Sequence, residues 1–127
     1  MAISTNGNIY AGVEGNHLIG LGGVPTVALG PGAGAGSAVV TGTDTSCTVT
    51  LTAGAGTAPN SVVFTITFNT SFMVTPHTVF SAKNANTSAN TARMFVTNTG
   101  TASFDLNITN PALTSGRVYS WTFTTLG

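Results

Sequence analysis

The chain has 127 residues and a mass of 12.7 kDa, enough for one domain and too few for two separate cores. Six side chains carry charge, Glu14, Asp44, Lys83, Arg93, Asp105 and Arg117, giving 5% charged residues and a formal net charge of zero, where an ordinary soluble domain has about 25%. Three scattered cations exclude a basic nucleic-acid-binding face, and an uncharged, fairly apolar composition excludes a disordered chain solvated by its own charge.

Hydroxyls and amides replace the charges: 24 Thr, 10 Ser and 11 Asn. Threonine is β-branched and suits a pleated surface with one wet face, so strands are favoured throughout. With no net charge to keep copies apart, self-association is the expectation.

Ten of the 16 glycines lie in residues 1–36, so this part reads as an extended N-terminal arm and not as a packed domain. Flexible linkers need no apolar side chains, yet Ile3, Ile9, Tyr10, Val13, Leu18, Ile19, Leu21, Val24, Val27 and Leu29 recur between the glycines. The arm is therefore expected to dock on neighbouring subunits. Its first residues lack a basic region followed by an apolar core, so no secretory signal is expected. The weakly polar residues 24–40 are interrupted by Pro25, Gly30 and Pro31, which predicts no membrane span. The run Gly32-Ala33-Gly34-Ala35-Gly36-Ser37 occurs once and reads as a hinge.

Residues 37–127 read as the body. Residues 38–43 form its first expected strand. In residues 46–53, Cys47, Val49, Leu51 and Ala53 alternate with hydroxyl side chains, the pattern of a half-buried strand. Residues 61–69 place Val62, Phe64, Ile66 and Phe68 on one face, against Val63, Thr65 and Thr67. Residues 77–82 follow Pro76, and the adjacent Val79 and Phe80 leave their buried face ambiguous. Residues 91–98 set Met94 and Val96 against Arg93, Phe95 and Thr97, again two-sided. Asn98-Thr99-Gly100-Thr101 is a turn signal, and Phe104, Leu106 and Ile108 alternate after it, which predicts a hairpin. Residues 117–125 put Tyr119, Trp121 and Phe123 on one face. About seven short strands with no amphipathic helical stretch predict an all-β fold, an antiparallel β-sandwich or jelly-roll-like body. Its core is expected to hold Val49, Leu51, Phe64, Ile66, Phe68, Phe104, Leu106, Tyr119, Trp121 and Phe123.

The stock of reactive groups is small. Glu14 and His17 have metal-ligand spacing for a helix, but their glycine-flanked setting is a poor helix, and a solvated or interface pair is the plainer reading. His77 at a strand start reads as a turn or interface residue. The single cysteine, Cys47, cannot form an intrachain disulfide and alternates with Val49 and Leu51, as a buried small hydrophobe does. Asp105 is expected to point outward, where Arg93 or Arg117 could fork onto it, and Asp44 reads as a turn residue capping backbone amides. Three N-x-[ST] sites, at Asn69, Asn86 and Asn107, match the roughly three that chance gives at this composition. Trp121 and Tyr119 could stack on sugars, although alternation with Phe123 favours the core. No catalytic residue, cofactor site or metal site is expected.

Several stretches carry a resemblance: Thr41-Gly42-Thr43-Asp44-Thr45 running into Cys47-Thr48-Val49-Thr50-Leu51-Thr52, and Val63-Phe64-Thr65-Ile66-Thr67-Phe68-Asn69. Pro76 before a strand ending in Ala82-Lys83-Asn84-Ala85 continues it. So do Phe95-Val96-Thr97-Asn98-Thr99 before Phe104-Asp105-Leu106, and the closing Tyr119-Ser120-Trp121-Thr122-Phe123. Over residues 37–126 the chain resembles the β-rich domains at the C-termini of tailed-phage tail fibres and in small virion-surface proteins. The resemblance implies a homotrimeric virion protein with a β-sandwich body and no enzymatic activity. No shaft or coiled-coil heptad precedes the body as it would in a fibre. A short apolar arm stands there instead, which suits a capsid decoration, or cement, protein made in the host cytoplasm and bound to the major capsid protein on the virion surface. The alternative expectation is a tail-fibre or head-fibre domain that binds a host receptor or glycan. Neither reading involves nucleic acid or a membrane.

Overall fold

The computed structural model describes residues 20–127, together with the backbone of a two-residue ladder between β1 (Val13–Glu14) and β2 (His17–Leu18). Eight further strands follow: β3 (Thr26–Leu29), β4 (Ser37–Gly42), β5 (Ser46–Thr52), β6 (Ser61–Thr67), β7 (His77–Ala82), β8 (Met94–Thr97), β9 (Ser103–Ile108) and β10 (Val118–Leu126). They form two four-stranded antiparallel sheets, ordered β4-β5-β10-β7 and β3-β6-β9-β8. Only the β4–β5 and β8–β9 connections stay within a sheet; every other link between these eight strands crosses to the opposite layer. The fold is all-β, a sandwich with one shared core.

The core follows from alternation. Cys47, Val49 and Leu51 of β5 and Tyr119, Trp121 and Phe123 of β10 point inward from the first sheet, and Phe64, Ile66, Phe104 and Leu106 meet them from the second. Phe68 closes one end, at 6% exposure. Rings interlock edge to face across the layers, with Phe64–Trp121 centroids 5.2 Å apart and Phe64–Phe123 5.9 Å apart. Each such pair contributes about 0.5–1.5 kcal/mol beyond area burial. The two ambiguous strands are resolved: β7 turns Phe80 inward and Val79 out, and β8 buries Met94 while Phe95 stays half exposed. Residues 91–93, expected in the strand, form a 3-10 turn ahead of it. One four-residue α-helix, α1 (Ala85–Ser88), is capped by the Asn84 side chain, which accepts from the Thr87 amide.

Two expectations need correction. Strict alternation put Val62 inward and Val63 outward, whereas the β6–β9 register shifts between Val62 and Phe64. The extra residue of this bulge, Val63, is fully buried, and its carbonyl accepts from the Gly30 amide at 2.9 Å. Val62 is turned outward opposite Asn107.

The second correction concerns the boundary at residue 36. Thr26–Leu29 pairs with Thr67–Phe64 as an edge strand of this chain's own sandwich, and Val27 packs on the core. The run read as a hinge is also packed: Gly32 and Ala33 are buried in a 3-10 turn, and Gly54 donates to the Ala33 carbonyl at 2.9 Å. A Cβ on Gly36 would meet the Thr52 carbonyl, and one on Gly54 the Ala35 carbonyl. These glycines let backbones touch. The body therefore includes residues 26–36.

Candidate functional site

Among the described residues, no three His, Cys, Asp or Glu side chains come together as a metal site. His77 is exposed at the start of β7, opposite Leu126. Cys47 lies in the core, where burial first and the Asp44 carboxylate second push its thiol up to about 11; at neutral pH it is a protonated, shielded thiol. The Arg93 guanidinium bonds to the Asn90 side chain through Nη2, and its Nε is buried with no partner among the described residues. Asp105 is held by Thr65 Oγ1 at 2.6 Å, so the two arginines do not supply its bond in the described structure.

What the fold does gather lies at one end of the sandwich, around Leu21. The Leu21 amide donates to Thr45 Oγ1 at 2.7 Å, and the Thr45 amide donates back to the Leu21 carbonyl at 3.1 Å. Beside this clamp, Asp44 is 3% exposed. Its two oxygens accept from the amides of Asn69 and Thr70 at 2.6 and 2.8 Å. Asp44 thus caps backbone amides, as its turn setting suggested, but those of a loop 25 and 26 residues away in sequence. Gly22, with φ +93°, lies directly on this carboxylate, leaving no room for a Cβ.

The loop held by Asp44 continues into an apolar tip. Phe72 packs on Phe68 at 4.9 Å between centroids, and the next residues, Met73 and Val74, are 100% and 61% exposed. Leu126 is also exposed at this end. The sequence hinted at the tip: Phe72-Met73-Val74 is an apolar run between Thr70 and Pro76, where a loop is usually polar.

Of the residues expected to dock the arm, Leu21, Val24 and Leu29 are exposed, while Val27 is spent on the core. Ile3, Ile9, Tyr10 and Ile19 lie outside the described residues, and for Val13 and Leu18 only the backbone ladder is described. In that ladder Glu14 pairs with His17 across two strands, so their spacing is not that of a helical ligand pair.

A second feature is the outer face of the β4-β5-β10-β7 sheet. Thr41, Thr48, Thr122 and Ser81 form one row across all four strands, and the next row sets Val39 beside Thr50 and Ser120. Thr50 and Ser120 share a 3.2 Å hydroxyl bond. Lys83, whose amide donates to the Ser120 carbonyl at 2.9 Å just past β7, is exposed and ends the second row, so the hydroxyl rows carry a charge only at that edge. Tyr119 and Trp121, considered as sugar platforms, are buried on the other side of the same sheet.

No protein family model, curated protein or solved structure matches the chain. The class that the fold defines is an all-β, two-sheet antiparallel sandwich.

Proposed function

We propose that the protein is a structural component of a tailed-phage virion, a capsid decoration protein that assembles as a homotrimer and fastens to the major capsid protein through its N-terminal arm. The observation that carries this reading is the hydroxyl-rich face of one sheet, charged only at its Lys83 edge, combined with residues 21–23, which lie against Thr45, Asp44 and Asn69 beside the loop that ends in the exposed Met73-Val74 tip. The neutral hydroxyl rows are buried against a copy with no ionic desolvation to offset, and Lys83 at their edge stays in water. The exposed Leu21 and Val24 and the tip, together at one end, give the trimer a single side for attachment. Binding only the assembled shell stabilises it by mass action, and three linked arms raise the effective affinity.

The test is co-sedimentation with purified heads of the parent phage, using the full chain and a variant that starts at residue 20. That variant keeps β3, which removal of residues 1–36 would destroy. The full chain pellets with heads in saturable, high copy number. The shortened chain remains a folded oligomer and stays in the supernatant. Normal pelleting of the shortened chain, or a handful of copies at the tail, contradicts the reading.

A further inference from the structure

The end of the sandwich opposite the arm clamp carries a shallow concavity of about 330 Å³, lined by Asn60, Ser61, Val62, Phe95, Asn107, Ile108 and Thr109. We infer that this groove is a binding site for a neutral saccharide, with the Phe95 ring as platform and the Asn60 and Asn107 amides as its polar contacts. Phe95 is 50% exposed on a strand whose neighbouring residues Met94 and Val96 turn toward the core. Asn107 is its cross-strand partner and Val62 is next in the row, so ring, amide and aliphatic wall stand side by side.

Two departures from regular structure shape the rim. The bulge at Val62 and Val63 turns Val62 outward into the groove wall. Asn60 adopts φ +51°, the one left-handed non-glycine among the described residues, and such outliers concentrate at functional positions.

The polar groups are poised for a ligand. Asn107 Nδ2 donates to Thr97 Oγ1 at 3.0 Å and, at longer range, to the Phe95 and Asp105 carbonyls at 3.4 and 3.5 Å, which orients the amide, spends its NH₂ and leaves Oδ1 as the atom with no donor among the described residues. The Asn60 side chain has no hydrogen bond there either. No ionisable side chain lines the groove, so it offers little to a phosphate, a carboxylate or a metal ion. An aromatic face beside the Asn107 Oδ1 acceptor and the Asn60 amide matches a pyranose ring, which presents a C–H face and equatorial hydroxyls. The volume suits one or two sugar rings. The site does not rest on the proposed function.

The experiment is an NMR titration of the ¹⁵N-labelled full chain with chitotriose, isomaltotriose and mannotriose, each to about 10 mM. Saturable shifts centred on Phe95, Asn107 and Thr109 with at least one trisaccharide are expected. Phe95→Ala weakens that binding about tenfold, and Asn60→Gly, which keeps the left-handed backbone and deletes the amide, also weakens it. Three results overturn the site: no saturable shift with any of them, shifts confined to another surface, or shifts of Phe95 on protein dilution alone, which would make the groove a contact between copies. None of these bears on arm-dependent pelleting, so the two readings fail separately.

Discussion

The indole Nε1 of Trp121 donates to the Sδ of Met94 at 3.2 Å, across the sandwich and out of reach of water. The bond ties β10 of one sheet to β8 of the other, and gives the largest buried side chain a partner for its one polar atom. Met94→Leu conserves volume, which alone costs less than about 1.5 kcal/mol. It also leaves the indole N–H unpaired, for about 1–3 kcal/mol. Urea unfolding should therefore show a loss near the upper end of these figures, whereas a loss below about 0.5 kcal/mol would mean that the sulfur is an ordinary packing contact.

Asp44 joins the arm clamp to the Asn69-Thr70 loop through both carboxylate oxygens. Asp44→Asn puts an NH₂ where one oxygen accepted, facing a backbone donor. Loss of one charge-assisted bond predicts about 1.5–3 kcal/mol of destabilisation. The same change should raise amide hydrogen exchange at Asn69 and Thr70 before it affects β5. Unchanged exchange at those two amides would refute the assigned role.

Cys47 supplies a pH dependence. Its thiol is raised in the fold from 9.0 to about 11, by burial and by the Asp44 charge. The unfolded thiol ionises first, so the stabilisation is intact below about pH 9 and is lost as pH rises toward 11. Cys47→Ala should have a shallower alkaline decline in stability than the wild type. Native protein at pH 8 should react with iodoacetamide far more slowly than urea-unfolded protein; equal rates would place the thiol at the surface.

Thr122 stands in the middle of the hydroxyl face, between Thr48 and Ser81. Thr122→Lys leaves the core untouched and places an ammonium in the proposed contact between copies. It should weaken self-association at least tenfold, about 1.4 kcal/mol, with circular dichroism unchanged. An unaltered oligomer would move the contact to another surface.

The sheet strands with one wet face were legible because each residue choice repeats one signal. β5 and β10 alternate without interruption, and their inward residues are those that the period predicts. β6 defeats that rule, since Val62 and Val63 look alike in sequence and only pairing with β9 shows which one the bulge absorbs. β3 escaped for a different reason. It is four residues long, and its partner lies some 35 to 41 residues further along the chain, so the glycines and prolines around it outweighed its own short pattern. Glycine itself carries two meanings, freedom in solvent or close backbone contact, and Gly36 and Gly54 have the second. At the arm end, Asp44 showed its capping chemistry in sequence but not its distant partner. The groove was hidden because Phe95 reads as one of two candidate core residues until the neighbouring strand fixes its face.

Sedimentation equilibrium of the full chain at micromolar concentration, in about 0.1 M and about 1 M NaCl, tests the central claim most directly. Over that range the screening length falls from about 10 Å to about 3 Å, which removes attraction between exposed charges and leaves uncharged contacts in place. The account predicts a trimer at both salt concentrations. A monomer at low salt, or a trimer that dissociates in 1 M NaCl, would contradict it.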